Sequence, residues 1–130
     1  MHRNPSRPLS PHLTAWRWGP HMLVSILHRA TGVGLTIAGG IALVWWLYAA
    51  ASGPDAYASF ADCADEWYAM VIWVGLSWAF FQHLLSGLRH LVMDIGAGFE
   101  VSKNKVWALL TLVGSAALTA LLWYYIMAVR

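Results

Sequence analysis

Three apolar runs separated by short polar stretches dominate the hydrophobic pattern of this chain. In the first run no charged residue occurs between Arg29 and Asp55. Within it, Val33 to Ala51 alone is about nineteen residues, enough for a helix to cross a hydrocarbon core of about 30 Å. The pattern therefore predicts an all-α fold with three membrane-spanning helices, at about residues 20–51, 67–94 and 105–129.

The polar stretches between these runs have distinct characters. Residues 1–19 are rich in proline and polar side chains, which predicts an extended strap lying on another surface, or alternatively a disordered tail. Residues 52–66 carry four acids and are read as a loop. The glycines that follow Asp94 predict the end of the second helix. A short polar connection over residues 100–105 then leads to the third.

Composition supports a membrane protein and excludes several other classes. The 130 residues are 59% hydrophobic and 11% charged, whereas a soluble domain carries about a quarter charged residues. The net charge of +2 is too small to indicate nucleic-acid binding. A single cysteine, Cys63, cannot form an internal disulfide or hold an iron–sulfur cluster. No glycine-rich nucleotide-binding motif occurs.

Lysine and arginine concentrate on the N-terminal arm and on the second connection, while the acidic first connection has neither. The positive-inside rule therefore places the N-terminus and the second connection on the cytoplasmic side.

One face of the second predicted helix carries the residues most suggestive of chemistry. His83, Gly87, His90 and Asp94 follow one another at i, i+4, i+7 and i+11, so they share that face. An imidazole inside a membrane helix is costly, and it usually has a function. The pattern suggests that His83 ligates haem iron, with Gly87 leaving room for the porphyrin. Alternatively, His83 simply forms a hydrogen bond with a neighbouring helix.

The first predicted helix brings a second polar group to the same membrane face. Ser25 and Arg29 belong to a small and polar stripe, and they are placed where a quinone head group would accept hydrogen bonds near water. A haem held by His83 would extend its propionates towards His28, Arg29 or His90. The alternative is that these charged side chains only extend to the membrane interface and bind no ligand.

A haem with two histidine ligands needs a second imidazole. Counting about 1.5 Å per residue from Arg89 places His83 about 9 Å deeper, and places His28 and His90 at the wrong depth to serve. We therefore expect another subunit to supply the second histidine. The chain would then be half of a heterodimeric haem-binding anchor.

Three segments resemble one known family, the cytochrome b membrane-anchor subunits of succinate dehydrogenase, respiratory complex II. They are the strap Arg7-Pro8-Leu9-Ser10-Pro11-His12, the segment Ser25-Ile26-Leu27-His28-Arg29-Ala30-Thr31-Gly32, and the run from His83 to Gly96. Together they cover about a third of the chain.

The resemblance implies a role for each matching residue. His83 matches the axial ligand of a haem b shared with a partner subunit. Ser25 and Arg29 match the ubiquinone-site serine and arginine, and His28 matches a histidine near the haem propionates. The chain itself would have no catalytic residue for the dicarboxylate.

The resemblance also implies partners. They are a second membrane-anchor subunit, an iron–sulfur subunit and a flavoprotein with FAD that oxidises succinate. The expected location is the bacterial cytoplasmic membrane rather than the mitochondrial inner membrane. Two alternatives stay open: the anchor of a quinol:fumarate reductase, and a non-redox membrane scaffold or transporter component.

Overall fold

The computed structural model describes Ser6 and residues 18–129. Most of the predicted strap, residues 1–19, therefore lies outside the described residues. Five α-helices and one π-helical segment follow in chain order: α1 Pro20–Gly34, the π segment Leu35–Gly39, α2 Gly40–Ser52, α3 Pro54–Asp65, α4 Trp67–Asp94 and α5 Val101–Val129.

Three helical spans are long and apolar enough to cross a membrane: Pro20–Ser52, Trp67–Asp94 and Val101–Val129. The first span joins α1, the π segment and α2 into one rod. Pro20 occupies the first turn of α1, where the missing N–H has no helical partner to lose. The spans expose large apolar side chains over most of their length, as helices surrounded by lipid or by other apolar helices do.

The first connection differs from the sequence expectation, because the predicted loop over residues 52–66 is mostly the helix α3. Gly53 has a φ of 107° and ends α2, and Pro54 then starts a new helix. Phe60 is buried, with its ring 4.8 Å from that of Trp45. The Trp73 indole donates a hydrogen bond of 3.1 Å to the Ala64 carbonyl. The acidic residues of this segment led to the prediction of a loop, although one side of the helix is apolar and packs against its neighbours.

The third span also begins earlier than the predicted position of about 105. The chain turns through Gly96 and Gly98, whose φ values of 86° and 77° favour glycine, and α5 then starts at Val101. The first turn of α5 is polar, with an ion pair of 3.0 Å between Lys103 and Glu100. Hydropathy marks where the apolar segment starts, whereas the helix itself extends beyond it into the polar region.

The interface between α4 and α5 is lined by small and polar side chains. Ser115 donates a hydrogen bond of 2.8 Å to the Gln82 side chain, and both residues are fully buried. The indole of Trp123 donates a hydrogen bond of 3.3 Å to the Ser77 hydroxyl, nearer the N-terminal end of α4. The polar residues buried in the described part of the chain are Thr31, Gln82, Ser86, Arg89, Thr111, Ser115 and Thr119. Side chains of this kind join membrane helices by close approach and interhelical hydrogen bonds.

Candidate functional site

His83 lies in the middle of α4 and faces α1. Its Nδ1 is 3.0 Å from the backbone oxygen of His28 and 3.3 Å from the hydroxyl oxygen of Thr31. A carbonyl oxygen can only accept, so the proton of a neutral His83 ring sits on Nδ1. Nε2 then carries the free lone pair, and it has no hydrogen-bond partner among the described residues. This is the state in which a histidine binds a metal, with its other nitrogen held by a carbonyl.

Gly32 allows this close approach of α1 and α4. A Cβ atom added at Gly32 would lie 2.9 Å from Cε1 of His83, too close for an undisturbed ring. The sequence alone predicts no contact with His83 for Thr31 or Gly32. The structure brings both residues against His83. The signal was available in the sequence, since Thr31 and Gly32 lie one helical turn beyond His28 on α1.

The rings of His83, His28 and His90 form a row. His28 stacks on His83 with ring centres 4.0 Å apart and an angle of 7° between the planes. His90 follows at 4.9 Å from His28, and its Nδ1 donates a hydrogen bond of 2.7 Å to the Ser86 carbonyl. A Cβ at Gly87 would lie 3.5 Å from Cε1 of His28, which is an ordinary van der Waals contact.

The predicted depth of His28 is wrong, because its ring lies against His83. The predicted depth was measured along the second helix, and spacing along one helix does not fix the level of a residue on another helix. His28 is nevertheless not placed to be the second axial ligand. Axial ligands lie on opposite faces of a porphyrin, and two rings stacked 4.0 Å apart leave no space for a porphyrin between them.

The donor set fits haem better than a bare metal ion. Among the described residues, no group of three or more histidine, cysteine or acidic side chains could hold a metal ion. One oriented imidazole is too little to retain a free cation. A single imidazole is, however, a sufficient contribution from one subunit to haem iron, which already has four porphyrin nitrogens as ligands.

Ser25 and Arg29 lie one turn apart on α1, on the outside of the bundle. Ser25 is half-buried, and Arg29 is exposed. Neither forms a hydrogen bond or ion pair within the described part of the chain, so both side chains are available to a ligand. Asp94, at the end of α4, is exposed as well. Arg89, by contrast, turns away from this site and donates to the Asn104 side chain of α5.

The fold and the site together define a three-span helical membrane protein with one oriented histidine inside the bundle. The chain belongs to the family described as succinate dehydrogenase/fumarate reductase transmembrane subunits, whose model matches residues 3–122. The family resemblance and the three-span all-α fold expected from the sequence are thereby confirmed.

Individual relatives are similar over most of their length. The cytochrome b556 subunit of succinate dehydrogenase from Paracoccus denitrificans is 40% identical over 120 residues, covering 89% of this chain and 88% of the relative. The cytochrome b556 subunit from Rickettsia conorii is 41% identical over 117 residues, covering 90% of each chain. The mitochondrial cytochrome b560 subunit from Sus scrofa is 30% identical over 125 residues, covering 89% of this chain and 72% of the relative.

A change at Gly32 tests the packing around His83. We expect Gly32→Ala to displace the His83 ring and to lower both the haem content and the melting temperature of the purified complex, because overpacking costs about 1–3 kcal/mol. Gly34→Ala is the matched control, since a Cβ there meets nothing within 4 Å. The absorbance of the haem band and a thermal melt measure the two effects. Equal haem content and melting temperature in both variants would contradict the packing role.

Proposed function

We propose that this chain is the cytochrome b anchor subunit of a succinate:ubiquinone oxidoreductase. In this proposal it binds haem b together with a second anchor subunit and forms part of the site where ubiquinone is reduced. The observation that carries the proposal is the oriented imidazole of His83, whose Nδ1 donates to the His28 carbonyl and leaves Nε2 without a partner among the described residues. The names of the cytochrome b relatives support the haem assignment.

The haem site uses residues from two helices. His83 of α4 is the axial ligand, and the carbonyl of His28 fixes the orientation and tautomer of its ring. His28, Arg29 and His90 are the candidate partners of the haem propionates, because each offers a cationic or hydrogen-bonding group. Bound haem b would supply a one-electron redox centre close to the quinone.

The quinone site uses the outer face of α1. The hydroxyl of Ser25 and the guanidinium of Arg29 donate hydrogen bonds to a carbonyl oxygen of ubiquinone. Ubiquinone becomes ubiquinol by taking up two electrons and two protons, so its head group must lie where water can resupply protons. The exposure of Arg29 supports such a position at the membrane interface.

The dicarboxylate chemistry belongs to partner subunits in this proposal. A flavoprotein with FAD oxidises succinate, an iron–sulfur subunit connects it to the membrane, and a second anchor subunit supplies the other haem histidine. The location is the bacterial cytoplasmic membrane with the N-terminus in the cytoplasm. The positive charge of the N-terminal arm and second connection supports this orientation, and the bacterial relatives support the membrane.

Purification of the intact complex tests the proposal as a whole. A tagged copy of this chain is extracted in a mild detergent, its partners are identified by mass spectrometry, and a reduced-minus-oxidised spectrum is recorded. We expect a flavoprotein, an iron–sulfur protein, a second three-span protein and a b-type haem band. A complex that lacks visible absorbance and oxidoreductase partners would instead support a membrane scaffold.

A further inference from the structure

We propose that the groove between α4 and α5, at the end of the bundle that carries the α4–α5 turn, binds an anionic phospholipid, with Arg89 contacting the phosphate. Arg89 is only 7% exposed. One of its terminal nitrogens donates to Asn104, whereas Nε and the other terminal nitrogen are buried without a hydrogen-bond partner. A buried guanidinium with unused donors is costly unless an anion compensates it.

A cavity lies beside this guanidinium. It has a volume of about 200 Å³, and Arg89 is the one charged residue in its lining. The remaining wall is mostly apolar, with Leu88 and Val92 from α4 and Trp107 and Leu110 from α5. An anion without a hydrophobic part would leave this wall uncovered. A phosphate that carries acyl chains satisfies both the guanidinium and the wall.

Asn104 holds the guanidinium at the groove. Its side-chain oxygen accepts from Arg89, and its Nδ2 lies 3.6 Å from the sulfur of Met93. Asn104 thereby uses both ends of its amide within the protein. It occupies one donor of Arg89 and leaves the other donors for a ligand.

The position along the helices suits a lipid headgroup. Arg89 lies five residues before the end of α4, and Asn104 lies in the first turn of α5. Lys105 follows Asn104 and adds positive charge at this level, whereas the charge of Lys103 is offset by Glu100. Anionic lipids are attracted to basic clusters at the membrane surface, and tryptophans such as Trp107 are typical of that level.

The groove is separate from the haem and quinone sites. Six residues along a helix turn the side chain by about 240°, so Arg89 points about 120° away from His83. His28 and His90 remain on the His83 side, where their rings are within 4.9 Å of each other. Arg89 is therefore directed away from the proposed haem site, and a haem propionate is not the anion that it would bind.

Lipid binding to the intact complex tests the proposal. The complex is depleted of lipid in detergent, and the affinity for phosphatidylglycerol is measured by native mass spectrometry for the wild type, Arg89→Gln and Arg89→Lys. We expect Arg89→Gln to bind this lipid about tenfold or more weakly, because charge-assisted hydrogen bonds are lost. Arg89→Lys should retain part of the affinity. Lys103→Gln is the control, since Lys103 is exposed and already paired with Glu100.

Two further arms identify the ligand even if Arg89→Gln fails to assemble. Leu88→Trp fills the groove and keeps the guanidinium, so it should weaken phosphatidylglycerol binding. The wild-type melting temperature should rise more with phosphatidylglycerol than with phosphatidylcholine or inorganic phosphate. Equal affinities in wild type and Arg89→Gln, equal stabilisation by phosphatidylcholine or by free phosphate, or a partner carboxylate on Arg89 in a map of the complex would each overturn the proposal. These readouts do not depend on haem or quinone.

Discussion

Replacing His83 by alanine should remove the b-type haem band from the reduced-minus-oxidised spectrum of the purified complex. The backbone carbonyl of His28 on a neighbouring helix holds the ring of His83, so that its other nitrogen is available to a ligand. In the proposed haem site, iron would then keep at most one imidazole ligand, from the partner subunit. A haem that persisted in that state would have an altered spectrum rather than the wild-type one.

The control for this variant is Leu84→Ala. Leu84 is the next residue on α4 and is 44% exposed, so its truncation perturbs the same helix without touching the site. The spectrum of Leu84→Ala should match that of the wild type. If the His83→Ala complex, at equal protein concentration, kept the wild-type haem band, the ligand assignment would be wrong.

Arg29→Ala should abolish most of the quinone reduction while succinate-dependent reduction of an artificial dye continues. The loss of a charge-assisted hydrogen bond of about 1.5–3 kcal/mol corresponds to about a 10- to 150-fold decrease in quinone reductase activity. The dye accepts electrons without using the quinone site, so its reduction reports whether the rest of the complex is assembled.

Two variants complete the Arg29 experiment. Arg29→Lys keeps the charge but not the planar fork of donors, and we expect intermediate quinone activity. Lys105→Ala removes an exposed cation from the same end of the bundle and should leave both activities unchanged. A parallel loss of quinone and dye activity in Arg29→Ala would indicate a role in assembly instead.

Hydropathy predicted the three spans because an apolar run of about 20 residues has few structures available other than a membrane helix. It failed at the polar ends. α3 was read as a loop because residues 52–66 carry four acids, although Phe60 and Trp45 pack against each other. The early start of α5 was missed for a similar reason, as helical hydrogen bonding does not stop where charge begins.

The candidate functional residues were easier to predict from the sequence than the contacts that they form. Helical spacing placed His83, Gly87 and His90 on one face, and the structure brings both histidines to the His28 ring. Spacing along one helix does not give the level of another helix, so the depth of His28 was misjudged. The sequence did contain a signal for the side of α4 on which Arg89 lies. Gln82, Ser86 and Arg89 recur at four- and three-residue steps, so they share a second face of this helix, and all three are buried.

A map of the assembled complex, at a resolution that shows side chains and cofactors, tests the central claim most directly. The account predicts haem iron at coordination distance from Nε2 of His83, with Nδ1 still directed at the His28 carbonyl. A His83 ring that contacts only neighbouring side chains, with no porphyrin beside it, would contradict the account.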